Sequence, residues 1–346
     1  MAIRYPFLIF ILCYFTFPFS GLAQTAEEMP EAPAISLFTF LQQQDSVPLL
    51  KIETDWGLLL KNKLQEEYQP VTLSFTGPDG RETTVECRMR ARGNTRKKVC
   101  TIPPVKIKIP KKQLKALGFN SSNDLKLVLP CQGGRFDQDC LLREEMAYRL
   151  YELIHPVHLR TKVIRLQHWE GQAESHDFLA FLVEDEEEFE DRLGGKIINR
   201  GRIRYAGLDR EAYLRMVFFQ YMIANTDWGI QNRHNLETIK VPGYERLIAV
   251  PYDFDYAGMV GTSYAIPHES MPIKSVTDRH FRGESITKEE VRKMRAFFLE
   301  HKAAVLQHCD SMPFFHKRAG RQTRKFVEEF FDELENERRL IRKLCK

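Results

Sequence analysis

A chain of 346 residues with 43% hydrophobic and 28% charged side chains is neither a disordered tail nor a disulfide-only miniprotein, and it can bury a sizeable core. Its 51 Lys and Arg against 47 Asp and Glu leave a net charge of +4, too small an excess to announce a nucleic-acid binder. No nucleic-acid partner is therefore expected.

The N-terminus begins with a positive residue, Arg4, followed by an almost wholly apolar run of 14 residues from Pro6 to Phe19 and then small residues at Gly21 and Ala23. This pattern predicts a secretory signal peptide over residues 1–23, cut after Ala23. The run falls short of the ~20 residues a spanning helix needs, and no later segment is apolar enough to span. The expected destination is the periplasm or the exterior, with no membrane span after cleavage. Residues 24–34 read as a loose leader. Removing the signal removes Cys13 and leaves Cys87, Cys100, Cys131, Cys140, Cys309 and Cys345. An even number in an exported chain predicts disulfides. Sequence proximity favours Cys87–Cys100, Cys131–Cys140 and Cys309–Cys345.

Asp55 caps an expected helix to about Tyr68, which Pro70 stops. Val71 to Phe75 reads as a strand, and Gly77-Pro78-Asp79-Gly80 as a turn into a second strand over 82–92. Further strands are expected at Val105–Ile109 and Leu125–Leu129. A helix follows over Gln138–Ile154, then strands at Thr161–His168 and Phe178–Val183. The second half reads as mainly helical: a helix from Asp209 to Ala224, a short hairpin over 235–240 and 247–250, an irregular stretch at 256–284, a helix from Thr287 to about Leu306, and a final helix from Gly320 to Leu344.

The charge is unevenly placed. Residues 81–112 hold eleven Lys or Arg and two Glu, a local +9. Val85, Cys87, Met89 and Ala91 alternate with Glu86, Arg88, Arg90 and Arg92, so three guanidiniums share one strand face, a platform suited to polyanions or a plain solvated face. Lys106 and Lys108 share a face of the next strand. The turn Arg92-Gly93-Asn94-Thr95 can offer backbone N–H groups to phosphate oxygens. Glu184 to Asp191 holds seven carboxylates in eight residues and reads as a solvated helix start.

The densest polar segment between apolar elements is Ala224 to Asn235, with Asp227, Asn232 and Asn235. Asp253 and Asp255 then follow a strand in Pro251-Tyr252-Asp253-Phe254-Asp255. Carboxylates and amides on two loops flanking one hairpin can orient a hydroxyl and hold magnesium.

The order of these parts resembles the protein-kinase-like fold and, in particular, the spore-coat-protein-H (CotH) kinase family. The resemblance rests on Arg92-Gly93-Asn94, the lysine strand at 104–109, Leu141-Leu142-Arg143-Glu144-Glu145, Arg160 to Leu166, Leu182-Val183-Glu184, the Asp227 loop ending in His234-Asn235, and Asp253-Phe254-Asp255. It covers about 85–260. A GxGxxG loop and an HRD sequence are absent. The chain also looks like a set of exported bacterial proteins carrying the same RGN turn and PYDFDY segment. The resemblance implies an α+β, bilobal architecture, with a β-rich N-lobe over 35–184 and a mainly helical C-lobe over 185–346. It implies Asp227 as the residue that orients or deprotonates an acceptor hydroxyl. Asn235, or alternatively Asn232, would hold Mg2+ with Asp253 and Asp255. Lys106 or Lys108 would bind the nucleotide phosphates, Glu144 or Glu145 would pair with that lysine, and Arg92, Gly93 and Asn94 would cover the phosphates. The implied function is a secreted phosphotransferase moving a phosphoryl group from Mg-ATP to a protein or glycan hydroxyl. The alternative is a nucleotide- or polyanion-binding, or structural envelope, protein on the same scaffold.

Overall fold

Seven strands close a barrel in the first half of the chain: β1 (Leu49–Glu53), β2 (Gln69–Thr76), β3 (Glu82–Ala91), β4 (Val105–Lys108), β5 (Asp124–Val128), β6 (Thr161–Glu170) and β7 (Ala173–Val183). The computed structural model describes residues 34–170, 173–314 and 316–345. The expected signal peptide, with the leader as far as Pro33, lies outside the described residues. The barrel order is β1-β2-β3-β4-β5-β7-β6, antiparallel except where β1 pairs with β6. Alternation sets the lining: Leu50, Ile52, Leu73, Met89, Ile107, Leu127, Ile164, Leu166, Ala180 and Leu182 point inward and are fully buried. The mixed α and β content agrees with the sequence reading, but a closed barrel is not the usual lobe of a protein kinase. The strand that closes it, β1, was not expected from the sequence.

Helices α1 (Leu37–Gln42), α2 (Trp56–Lys61), α3 (Arg96–Val99) and α4 (Lys111–Ala116) decorate the barrel. The helix expected over 55–68 is cut to α2, which gives way by Glu66, a residue with φ 58°. The long helix α5 (Arg135–Ile154) leaves the barrel and packs into a second core. That core also holds α6 (Glu186–Leu193), α7 (Arg210–Met222), α8 (Lys288–Ser311), α9 (Lys317–Glu335) and α10 (Glu337–Leu344), with a small sheet of order β10-β9-β8. Its strands are β8 (Lys196–Ile197), β9 (Leu236–Lys240) and β10 (Ile248–Pro251). Thr287 and Glu290 form a reciprocal capping box that starts α8. The single final helix expected from the sequence is two, because the Asn336 side chain accepts from Arg339 N and starts a new helix there.

Two expectations are corrected here. The disulfide is Cys100–Cys131, and Cys87, Cys140, Cys309 and Cys345 are free thiols. The reason is topological. β4 and β5 are antiparallel neighbours, so the residue before β4 lies beside the residue after β5, and Ile102 N donates to Cys131 O at 2.9 Å. The acidic run does start α6 through an Asp185 cap, and Glu186, Glu187 and Asp191 are exposed, but it is not solvated throughout. Glu184 is buried between Arg160 and Arg192, and Glu188 is buried as well. Among the described residues, no helix is long and apolar enough to cross a membrane.

Candidate functional site

Two adjoining cavities, of about 230 and 120 Å3, share Arg92, Val128, Tyr252 and Asp253 in their walls. The larger is enclosed by the turn Arg92 to Arg96 on one side and by Asp227, His234, Asn235, Asp253 and Asp255 on the other. The smaller is walled by Lys126, Leu159, Val183, Glu184, Glu186 and Glu237.

The barrel supplies the basic wall. Arg92 ends the outward face of β3, and its N–H donates to Pro104 O at 2.8 Å. Gly93 has φ +86°, a conformation that favours glycine, so the chain reverses there into α3. Arg88 and Arg90 on the same face lie over the ring of Tyr68, and Arg90 pairs with Glu66, so of the three aligned guanidiniums only Arg92 lines the cleft. Arg96, which the motifs do not mark, is 8% exposed and clamps two carboxylates. Its Nε donates to Asp255 Oδ2 at 3.0 Å and its Nη2 to Glu144 Oε2. Burial pushes the Glu144 carboxyl up, and the Arg96 guanidinium pulls it back. Glu144 and Asp255 in turn hold Arg96 well above its ordinary value despite its burial.

The second core supplies the acidic wall. Asp227 Oδ1 meets His234 Nε2 at 2.8 Å, and its Oδ2 accepts from Asn235 Nδ2 at 3.1 Å. Asn235 Nδ2 also donates to the Asp227 carbonyl at 2.8 Å, which leaves Asn235 Oδ1 for another partner. Arg282 donates to the carbonyls of Thr226 and, at 2.7 Å, Trp228, fixing the loop from behind. The Asp253 loop is tied to the same loop by Tyr252 N donating to Asn235 O at 3.1 Å, and to α5 by Asp253 N donating to Tyr148 OH at 2.9 Å. Asn235 and Asp253 both sit in the left-handed region, at φ 51° and 58°, as do the nearby Arg233 and Ala224. Such backbone strain in non-glycine residues concentrates where side-chain placement matters more than local stability. Burial and the neighbouring Asp255 push the Asp253 carboxyl up to about 6, with Arg96 and Arg92 opposing.

The structure brings together Arg92, Gly93, Asn94, Asp227, Asn235, Asp253 and Asp255 in one cavity wall, with Glu144 behind them. The remaining sequence candidates lie elsewhere. Lys106 reaches Asp124 at 2.7 Å and Asp185 at 3.7 Å, and neither it nor Lys108 lines the two cavities. The lysine in the cleft is Lys126, the register partner of Lys106 on β5, which pairs with Asp185 at 3.2 Å and with Glu186. Glu145 accepts from Thr161 at 2.8 Å, on the face of α5 away from Arg96. Asn232 folds over Gly229, where a Cβ would meet its Oδ1 at 2.5 Å. Asp255 lines the cavity, but its Oδ2 already accepts from Arg96 and, at 2.9 Å, from Tyr264 OH.

The oxygen donors fit a hard divalent cation. Asp253 offers a carboxylate that accepts no hydrogen bond from a described residue, Asn235 offers Oδ1, and Asp227 adds negative charge nearby. Among the described residues, no three His, Cys, Asp or Glu side chains converge into a ready-made cage. A magnesium ion held there would keep water and phosphate ligands beside one or two protein groups. His234, Arg96 and Lys126 were missed by sequence reasoning. For His234 a signal existed, because it immediately precedes Asn235 in the polar loop.

No family model matches this sequence, and no curated protein matches it. Among solved structures, the chain is similar to the proinflammatory kinase CtkA of Helicobacter pylori, with 8% identity, a TM-score of 0.37, and 74% of this chain and 96% of that chain covered. A likeness that distant carries no argument, and the functional reading rests on the cleft.

Proposed function

We propose that this chain is an exported phosphotransferase of CotH-like type that moves the γ-phosphoryl group of Mg-ATP to a protein or glycan hydroxyl. One observation carries the reading: a guanidinium-bearing turn, Arg92 to Arg96, faces the Asp227–Asn235–Asp253 cluster across a phosphate-sized cavity. The adjoining cavity, with Lys126, Val128, Leu159 and Val183 in its walls, is where the nucleoside belongs. Asp253 and Asn235 would hold Mg2+, which supplies charge neutralisation on the phosphates. Asp227, oriented by His234 and Asn235, accepts the hydrogen bond of the acceptor hydroxyl and takes its proton as the new O–P bond forms and the bond to the ADP oxygen breaks. Arg92 lies opposite, positioned for the charge on the transferred group. The disulfide and the lack of a spanning helix among the described residues are compatible with export.

A non-catalytic nucleotide-binding module is the second reading, favoured by the engagement of Asp255 with Arg96 and Tyr264. Phosphate incorporation separates the two. The wild-type chain should label a hydroxyl-bearing acceptor in a Mg2+-dependent manner, and Asp227→Asn should cut that rate about 10²- to 10⁴-fold while still binding nucleotide. Nucleotide binding with no transfer by the wild type would leave the module reading standing instead.

A further inference from the structure

Beside the catalytic loop runs an ordered strap, residues 198–207, whose charge the proposed function does not use. It is pinned at both ends. Ile198 N donates to Thr238 O at 2.7 Å as β8 leaves the small sheet, and Leu247 N donates to Gly207 O at 3.1 Å. Buried Ile203 anchors its middle. Between these points Arg200, Arg202 and Arg204 are exposed, and none of them pairs with a carboxylate of a described residue. The strap is joined directly to the catalytic loop, because Arg233 Nη2 donates to Arg200 O at 2.8 Å and to Gly201 O. Arg233 immediately precedes His234, which holds Asp227. Further along, Tyr205 lies within electrostatic range of Arg282, and Arg282 within range of Asp227.

We propose that this strap is the acceptor-docking surface of the phosphotransferase, and that it selects an acidic polypeptide segment whose hydroxyl is flanked by carboxylates. Three exposed arginines, Arg200, Arg202 and Arg204, lie on a strap that Arg233 ties to the loop carrying Asp227. A chain entering past them passes cations before it reaches the reacting atoms. A basic acceptor would meet like charge there, while an acidic one is steered in and held by guanidinium–carboxylate pairs. Glu284 lies within electrostatic range of Tyr205 on the strap, and Glu237, in the nucleoside cavity, within that of Arg233. The proposal rests on the phosphotransferase reading.

The test compares two Ser-containing peptides, one with Glu and one with Lys around the serine, and a single-stranded RNA of similar length. Binding to the full chain is followed by fluorescence anisotropy, with Mg-ATP binding measured on the same preparations. The acidic peptide should bind at least about tenfold tighter than the basic one and weaken steeply between about 0.05 and 0.3 M salt. The variant Arg200→Ala/Arg202→Ala/Arg204→Ala should lose that preference while keeping its affinity for Mg-ATP. Equal binding of the two peptides, or an unchanged preference in the variant, with Mg-ATP binding intact, overturns the docking assignment alone. Tight RNA binding without acidic-peptide binding overturns it in favour of a nucleic-acid surface. Loss of Mg-ATP binding in the wild type, with the acidic preference intact, overturns the phosphotransferase reading instead.

Discussion

At Arg96 two buried carboxylates, Glu144 and Asp255, share one guanidinium, and that single side chain joins the turn, α5 and the Asp253 loop. Removing it leaves two buried carboxyl groups facing each other without their counter-ion. Arg96→Met should therefore cost about 3–5 kcal/mol, read from denaturant midpoints, whereas Arg96→Met combined with Glu144→Gln should recover part of that loss. An unchanged midpoint for Arg96→Met would mean the cluster is not the joint described. Away from the cleft, burial pushes the Glu188 carboxyl up to about 7 from its ordinary 4.5, and its Oε1 has no hydrogen-bond partner among the described residues. Because the folded value lies above the unfolded one, the contribution is fully present below about pH 4.5 and is lost as pH rises through about 7. Glu188→Gln should match the wild type in acid and exceed it by about 1–3 kcal/mol above pH 7. Parallel stability–pH curves for the two proteins would contradict this.

At the scale of elements, the short helix α3 carries Arg96 and ends on Cys100, so the disulfide to Cys131 fixes the basic wall of the cleft. Cys100→Ser/Cys131→Ser should lose about 2–4 kcal/mol of stability. Its affinity for Mg-ATP should fall more than that of Cys87→Ser, whose thiol lies in the barrel core. Equal affinities would separate the disulfide from the cleft. Thiol labelling of the folded chain should reach half-exposed Cys345 before buried Cys87, Cys140 and Cys309. Several elements were legible in the sequence because their signals are local: the alternation of β3, the caps at Asp209 and Thr287, the RGN turn, and the Asp227 and Asp253 loops. What sequence could not supply is which strands become neighbours. Proximity along the chain mispaired the cysteines, since pairing depends on β4 lying beside β5. Alternation placed Lys106 on an outward face, but only the barrel order makes the β5 face, with Lys126, the one that roofs the cleft. A polar run such as 184–191 reads as solvated until arginine partners for Glu184 arrive from Arg160, just before β6, and from Arg192 on α6.

At the scale of the molecule, the barrel and the helical core contribute opposite charges to one cavity, basic from the turn and acidic from the two loops. A ligand bridging both should stabilise the whole chain. Mg-ATP at about 100 times its dissociation constant should add about 2.7 kcal/mol and raise the thermal midpoint accordingly. The Arg92–Arg96 turn and the Asp253 cluster are proposed to hold one Mg-nucleotide between them. The most direct test is equilibrium ATP binding to the full chain with and without Mg2+, for the wild type and for Asp253→Asn. The wild type should bind tightly only with Mg2+, and Asp253→Asn should lose that metal dependence. Binding that ignores Mg2+ in both proteins, or no binding in either, would contradict this.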